Sequence, residues 1–332
     1  MTQRRVLSGI QPSGSLHLGN YLGAVKQWVD GQGEKENFIC IVDLHAITVP
    51  QDPEELRSNT RRLAAQLFAC GIDPQQTTLF VQSHVRAHCE GAWVLSCLTP
   101  LGWLERMTQY KAKSANQERI AAGLLTYPVL QAADILLYDP HEVPVGADQK
   151  QHIELARDLA QRFNHLYGET FRVPDAVIPP AGARVMGLDD PLAKMSKSAQ
   201  GAKGHAVRLD DSDKDIEKAI KRAVTDSGRE IAFSEDPEKA GVNNLLGIYS
   251  AVTGESPAEA EAAFAGARGY GDLKTRVAEV VVEAVAPIRE RYEALMDDPA
   301  ELDRLLEIGA EQARAVADPK IEDVKRKVGF LV

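Results

Sequence analysis

Residues 6–29 read VLSGIQPSGSLHLGNYLGAVKQWV, an apolar run followed by a glycine-containing turn and a stretch of helical periodicity. The run at Val6–Ile10 is typical of a buried strand, and the stretch at Tyr21–Val29 of an amphipathic helix. Two further strand-like runs, Phe38–Val42 and Thr77–Val81, are separated by a helix-period stretch at Leu56–Ala69. This β-α-β-α-β order predicts a Rossmann-like α/β fold with a doubly wound parallel sheet, whose ligands bind beyond the carboxyl ends of the strands.

Polar side chains follow each of the three predicted strands, where such a crevice would lie. They are Gln11-Pro12-Ser13, Asp43-Leu44-His45 and Gln82-Ser83-His84. Further along, Trp103–Gln117 has the pattern of an amphipathic helix, Leu124–Tyr138 is strongly apolar, and Val143–Gly146 resembles the end of another strand.

The chain has 332 residues, which exceeds the size at which a single hydrophobic core usually stops growing. Beyond Lys194 the sequence becomes rich in glycine and charge, and long Ala/Glu/Arg-rich helical patterns then run to the last residue. We therefore expect a catalytic domain over residues 1–206 and a helical domain over residues 207–332.

Composition excludes several classes of protein. A net charge of -10 argues against non-specific coating of nucleic acid, which relies on many lysines and arginines. No apolar stretch reaches membrane-spanning length, so we expect a cytoplasmic protein without a membrane partner. The four cysteines, at positions 40, 70, 89 and 97, lack Cys-x-x-Cys spacing, which predicts buried free thiols and no metal site.

Two separate segments are candidates for holding a nucleotide, since neither a P-loop nor a G-x-G-x-x-G dinucleotide motif follows a predicted strand. The first is Leu16-His17-Leu18-Gly19-Asn20, which opens a helix whose free N–H groups suit a phosphate. The second is Lys194-Met195-Ser196-Lys197-Ser198, which presents two cations and two hydroxyls. Taken singly, the first also fits an ordinary strand-to-helix turn and the second an exposed basic loop.

Together and in this order, the two segments resemble the HIGH and KMSKS motifs of class I aminoacyl-tRNA synthetases. The resemblance to the bacterial tryptophanyl enzymes covers nearly the whole chain. It includes Ser8–Gly14, Val42–Thr48 and Val143–Gln149. It implies that L-tryptophan and ATP, with Mg²⁺, form tryptophanyl-adenylate and pyrophosphate, and that the tryptophanyl group then passes to the terminal ribose of tRNA(Trp).

The resemblance also implies roles for individual residues in binding ATP. Charge neutralisation and positioning would fall to Lys194, Ser196, Lys197, Lys113 and Gln11. Other ATP contacts would come from Pro12, Ser13, His17, Gly19, Asn20, Gly146, Ala147, Asp148, Val185, Met186, Met195 and Ser198. A solvated helix face for Lys113 and a helix N-cap for Asp148 are the alternative interpretations.

Three residues with helical spacing suggest where the amino acid binds. Tyr127, Gln131 and Asp134 stand at i, i+4 and i+7 among apolar neighbours, so they share one helical face. An acid buried there needs either a structural donor or a donor from a ligand.

The resemblance implies that Asp134 accepts the indole N–H, that Tyr127 and Gln149 lie near the ammonium group, and that His45 lies near the substrate's polar end. Leu7 and Val145 would flank the ring, with Gly9 and Gln131 also in the pocket. Gln131 departs from the family, since bacterial tryptophan enzymes usually have methionine there and tyrosyl enzymes have glutamine. Tyrosyl-tRNA synthetase is therefore the alternative enzyme.

The resemblance further implies a homodimer whose helical C-terminal domain binds the tRNA anticodon. Four basic residues near the C-terminus are candidates for phosphate contacts or for ordinary helix-end complementarity: Lys320, Lys325, Arg326 and Lys327. Two other classes of function stay open, namely a cytidylyltransferase-like nucleotidyltransferase and a synthetase-like regulatory protein that binds tRNA without catalysis.

Overall fold

The computed structural model describes residues 3–114, 120–146, 149–177, 184–196 and 204–332. The statements below concern these residues. Among the residues with predicted roles, Ala147, Asp148, Lys197 and Ser198 lie outside them, as does the side chain of Lys113.

Five parallel strands form one sheet in the order β3-β2-β1-β4-β5. The strands are β1 (Arg5–Ile10), β2 (Glu36–Ile41), β3 (Thr77–Val81), β4 (Glu142–Pro144) and β5 (Asp175–Val177). The three long runs and the short run before Gly146 were predicted as strands, whereas β5 was not. The direction of winding reverses at β1, which makes its carboxyl end the switch point where ligands bind in such sheets.

Nine helices are described before residue 178. They are α1 (Leu18–Asn20), α2 (Lys26–Asp30), α3 (Asp43–Ala46), α4 (Pro53–Ala69), α5 (Ala87–Leu98), α6 (Leu101–Glu105), α7 (Thr108–Ser114), α8 (Ala122–Leu136) and α9 (Lys150–Tyr167). A π-helical stretch, Tyr21–Val25, joins α1 to α2. The prediction of one helix over Trp103–Gln117 was wrong, since the chain breaks between α6 and α7 at the buried Met107, and Gln151 accepts the N–H of Thr108.

The described residues after 204 are mainly helical, as predicted, with irregular stretches at 204–212 and 222–236. Their helices are α10 (Asp213–Lys221), α11 (Ala240–Thr253), α12 (Pro257–Ala263), α13 (Tyr270–Asp297) and α14 (Pro299–Lys327). Apolar side chains from this region share one core with those of the sheet side: Val277 and Leu306 lie in the same buried cluster as Leu63 and Leu79. The division into two domains at residue 206 stays a prediction.

Helix α14 packs directly on β3. A methyl group added to Gly309 would lie 1.8 Å from the carbonyl oxygen of Leu79, so the helix backbone touches the strand backbone. Only glycine permits this approach. The last helix therefore packs along the edge strand of the sheet, with Leu306 in one buried cluster and Ala313 in the other.

The cysteine prediction was right in part. All four thiols are free, and Cys40 and Cys70 are buried, but Cys89 and Cys97 are exposed on α5. Burial raises the pKa of Cys70 to about 12, so its thiol is not reactive at neutral pH. In the described part of the chain, no helix combines the length and apolar character needed to span a membrane.

Candidate active site

A cavity of about 400 Å³ opens at the carboxyl ends of β1 and β4, where the sheet reverses its winding. It is lined by Leu7, Gly9, Gln11, Cys40, Val42, His45, Thr48, Gln109, Tyr127, Gln131, Asp134, Ile135, Val143, Pro144, Val145, Gly146 and Gln149. All eight residues predicted to bind the amino acid are among them. Thr48 and Gln109 also line it, although neither residue was predicted to have a role in binding.

Helix α8 turns one face into this cavity. Tyr127, Gln131 and Asp134 all line it, as their spacing predicted. The Tyr127 hydroxyl lies 3.0 Å from Nε2 of His152, and burial raises the pKa of Tyr127, so the phenol stays protonated. This face presents a neutral hydroxyl, an amide and a carboxyl group along one side of the cavity.

The Asp134 carboxyl group is only 4% exposed, and three side chains surround it. Its Oδ2 lies 2.7 Å from His45 Nε2. Its Oδ1 accepts from Gln82 Nε2 at 2.7 Å and lies 2.6 Å from His88 Nδ1. Of the two alternatives predicted for this acid, structural donors are present, and three side chains provide them. His45 is one of the three.

The charge on Asp134 is stabilised by these neighbours. Burial alone would raise the pKa of Asp134, but hydrogen bonds from His45 and His88 outweigh it and hold the pKa well below its ordinary value. Asp134 is thus a carboxylate throughout the physiological range. A buried carboxylate in a fixed orientation is a strong hydrogen-bond acceptor.

A second layer orients these donors. His88 Nε2 lies 2.9 Å from the hydroxyl of Tyr138, and the Tyr138 ring packs on Phe38 and Phe80. Gln82 accepts the N–H of Leu44 at 3.1 Å. From the sequence, Gln82 was noted only as a polar residue at a strand end, and His88 was not predicted to have a role. The one indication for His88 is that it is a histidine within an apolar helix.

Apolar side chains also line the cavity. Leu7 is buried on β1, and Val145 follows β4, so the two come from the adjacent strands on either side of the switch point. Gln149 lines the same space, one residue before α9 begins. The cavity therefore combines apolar side chains with polar groups from α8 and from Gln149.

The first motif is built as a self-capped helix start. The His17 side chain accepts the N–H of Asn20 at 3.2 Å, and Asn20 Oδ1 accepts the N–H of His17 at 3.2 Å. This reciprocal capping holds both residues at the beginning of α1. The turn before it passes through Gly14 with φ +67°, a left-handed conformation that favours glycine.

The two motifs lie side by side. A methyl group on Gly19 would lie 3.5 Å from Cβ of Met195, so the helix start touches the second segment. Met195 is buried and anchors this segment, while Lys194 is exposed and Ser196 is half-buried. The two motifs are about 175 positions apart in the chain but are in contact in the structure, as the resemblance requires.

The second segment is held from behind by α11. Met186 pairs with Lys194 in an antiparallel bridge, and the side chain of Asn244 bonds both backbone groups of Met186, at 2.9 and 3.0 Å. Val185 is buried beneath this bridge. The described part of the segment is therefore a fixed hairpin-like turn.

A larger cavity of about 680 Å³ adjoins both motifs. His17 and Ser196 line it, together with cationic and acidic side chains: Arg62, Arg208, Lys218, Arg222, Asp210, Asp211 and Asp215. Gln11 and Gly146 instead line the smaller cavity. Four of the predicted ATP residues thus line one cavity or the other, whereas Pro12, Ser13, Asn20 and Lys194 are not among the lining residues.

Comparison with known proteins gives consistent similarities. The family model "tRNA synthetases class I (W and Y)" matches residues 2–286. Tryptophan–tRNA ligase 2 of Streptomyces avermitilis is 55% identical over 330 residues, covering 98% of this chain and 97% of the relative. Tryptophan–tRNA ligase of Wolinella succinogenes is 52% identical over 332 residues, covering 100% of both chains.

Solved structures agree with the sequence comparison. Tryptophanyl-tRNA synthetase from Campylobacter jejuni, complexed with ADP and tryptophan, superposes with a TM-score of 0.86 at 41% identity, covering 98% of this chain and 100% of that one. Tyrosyl-tRNA synthetase from Aeropyrum pernix, at 23% identity and a TM-score of 0.65, shares the fold.

Proposed function

The chain belongs to the class I tRNA synthetases and, among them, to the tryptophan–tRNA ligases, and we propose that the cavities described above carry out both steps of that activity. Tryptophan reacts with ATP to give tryptophanyl-adenylate and pyrophosphate. The tryptophanyl group then moves to the terminal ribose of tRNA(Trp). Of the two amino acids that the family model covers, tryptophan is the one that the relatives above 50% identity use.

One observation supports this assignment of site to reaction. The smaller cavity contains both the carboxylate face of α8 and Gln11 with Gly146, which the resemblance assigns to ATP. An amino acid held there has its own carboxylate close to the α-phosphate of ATP. Holding two reactants in contact removes much of the entropic barrier to their reaction.

Asp134 would recognise the indole N–H. A carboxylate has about four lone-pair sites, and three donors already occupy Asp134, which leaves room for one more. Leu7 and Val145 would pack on the ring, while Tyr127 and Gln149 would bind the ammonium group. In this proposal His45 orients Asp134, a change from its expected place at the substrate's polar end.

ATP would lie between the two motifs. Lys194, Lys197 and Ser196 would bind the phosphates, with Gln11, Asn20 and Lys113 beside them. The other ATP contacts expected from the resemblance remain proposals, including Gly19 and the buried Val185. The tryptophan carboxylate attacks the α-phosphorus, and the electron pair of the breaking P–O bond leaves with pyrophosphate. Cations here stabilise the charge that develops on that leaving group.

Mg²⁺ would arrive bound to the phosphates of ATP as part of the substrate. Among the described residues, no group of three or more His, Cys, Asp or Glu side chains is placed to hold a metal ion. We therefore assign no protein ligands to the metal.

The helical region from residue 207 onward would bind the anticodon of tRNA(Trp) in the cytoplasm. Three of the four basic residues near the C-terminus are poor candidates, while Arg326 is 66% exposed. Lys320 pairs with Asp139, and Lys327 bonds the 169–170 turn. Lys325 likewise pairs with Glu90 and Glu322. These lysines fasten α14 to its neighbours, which favours the alternative of structural complementarity.

A second copy of the chain would pack on α5. Trp93 is 68% exposed there, with Cys89 and Cys97 one turn to either side on the same face, and Leu101 follows at 59%. Such exposed apolar area marks an interface more often than bare surface. Light scattering should give the mass of a dimer for the wild type and of a monomer for Trp93→Glu.

Charging of a tRNA(Trp) transcript with labelled tryptophan tests the proposed function directly. We expect labelled product with the wild type and a loss of about 100-fold or more with Lys194→Ala, since the lysine acts on the transition state. Lys26→Ala serves as a control and should charge normally, because this lysine pairs with Asp30 on α2 and is not among the residues that line the two cavities. Equal rates for Lys194→Ala and the wild type would contradict the role assigned to the second motif.

A further inference from the structure

His205 is a buried polar residue that lies against the turn carrying the second motif. It is 7% exposed, and its Nδ1 lies 2.5 Å from Oδ1 of Asp189. Its ring covers Gly187, where an added methyl group would come within 2.4 Å of Cε1. Both contacts are to residues just before Lys194.

The same turn is tied to His205 through the backbone. The carbonyl of His205 accepts the N–H of Leu188 at 3.0 Å. Gly187, under the imidazole ring, donates to the carbonyl of Ala193 at 2.8 Å and so closes the turn immediately before Lys194. A displacement of His205 would therefore move the turn whose last residue, Ala193, directly precedes Lys194.

On its other side, His205 leads into the segment that pairs with the first motif. The carbonyl of Val207 accepts the N–H of Leu18 at 2.8 Å, and Arg208 forms an antiparallel bridge with His17. His205 therefore contacts the turn before Lys194, and the residues two and three positions after it pair with the helix start at His17. The segment 205–208 thus connects the two motifs.

A buried imidazole at this position is energetically unfavourable if it only fills space. Its Nε2 is buried and has no hydrogen-bond partner among the described residues, and such an unpaired group costs about 1–3 kcal/mol. Leucine has a similar size and would avoid that cost. What histidine adds at this position is the Nδ1–H that bonds Asp189 and sets the direction of the turn.

We propose that His205, held by Asp189, is a positioning residue that orients Lys194 and Ser196 toward the phosphates of ATP. The proposal rests on the function assigned above to the second motif. His205 lines the larger cavity together with Ser196, and in this proposal it acts on the turn and not on the reacting atoms. Its effect on the rate passes through the Gly187–Ala193 turn.

Tryptophan-dependent ATP–pyrophosphate exchange separates this role from simple structural support. For His205→Leu we expect kcat and kcat/KM for ATP to fall about tenfold, while KM for tryptophan changes less than about twofold. His205→Asn should recover most of the rate, because its amide N–H can replace Nδ1–H. His165→Leu, at an exposed position on α9, is the matched control and should exchange like the wild type.

Asp189 provides the second arm of the test. Asp189→Leu should reproduce the effect of His205→Leu, and the double variant should be no slower than either single variant, because both remove the same contact. Additive losses, equal changes in both KM values, or no rescue by His205→Asn would overturn the proposal. Absence of exchange in the wild type would instead refute the proposed function itself.

Discussion

Replacing His88 with leucine should destabilise the fold by about 3–5 kcal/mol, because two buried groups lose their partner. His88 Nδ1 lies 2.6 Å from Asp134 Oδ1, and a hydrogen bond to a charged group contributes about 1.5–3 kcal/mol. His88 Nε2 lies 2.9 Å from the Tyr138 hydroxyl, which leucine would leave unpaired at a cost of about 1–3 kcal/mol. Both terms act in the same direction.

Urea unfolding followed by circular dichroism measures this change, with Tyr138→Phe as the matched control. The control removes the hydroxyl and leaves His88 Nε2 unpaired, but it keeps all three donors on Asp134, so we expect a smaller loss of about 1–3 kcal/mol. KM for tryptophan should rise in His88→Leu and stay constant in the control. A loss below about 1 kcal/mol for His88→Leu, or equal losses in both variants, would refute a stabilising role for His88 at the Asp134 charge.

Three further predictions follow from particular contacts. Gly309→Ala should destabilise the folded state by more than about 3 kcal/mol in thermal unfolding, since its methyl group meets Leu79. Gly247→Ala on α11 is the control: its methyl group meets nothing within 4 Å, so it should stabilise the fold by about 0.5–1 kcal/mol. Equal effects of the two substitutions would contradict the packing of α14. The stability gap between the wild type and Asp134→Asn should stay constant from neutral pH to about pH 5 and shrink below about pH 4. The folded-state pKa of Asp134 is lowered, so its contribution is present above the ordinary carboxyl pKa and is lost as pH falls through the folded value; a gap that widens in acid would reverse this sign. Gln131→Met should keep tryptophan as the substrate and raise the tryptophan-to-tyrosine ratio of kcat/KM about tenfold. The substitution removes an amide that can hydrogen-bond the hydroxyl of a phenol, a group that an indole lacks. A lower ratio in the exchange assay would show that Gln131 favours tryptophan.

The parts of the fold that sequence predicted are those with long, uniform patterns. β2 and β3 contain continuous apolar runs, Phe38–Ile41 and Leu79–Val81, and α4 has a clear helical period, so each was located from its own residues. β5 has only three residues, too few for a periodicity to be visible. The break between α6 and α7 depends on Gln151, which comes 43 positions after the N–H it accepts.

The same distinction applies to the site. Tyr127, Gln131 and Asp134 share a helix, so their common face could be derived from spacing alone. The donors to Asp134 are 46 to 89 positions away, and His205 reaches Asp189 from the far side of the second motif. Pairings of this kind depend on how the elements pack, which no local pattern records.

Amino-acid-dependent ATP–pyrophosphate exchange, run in parallel with tryptophan and tyrosine, decides which amino acid the chain activates. The buried carboxylate of Asp134 lines the same cavity as the apolar side chains of Leu7 and Val145. We predict exchange with tryptophan that exceeds exchange with tyrosine by about 10⁴-fold or more in kcat/KM. Exchange with tyrosine at the higher rate, or with neither amino acid, would contradict the account.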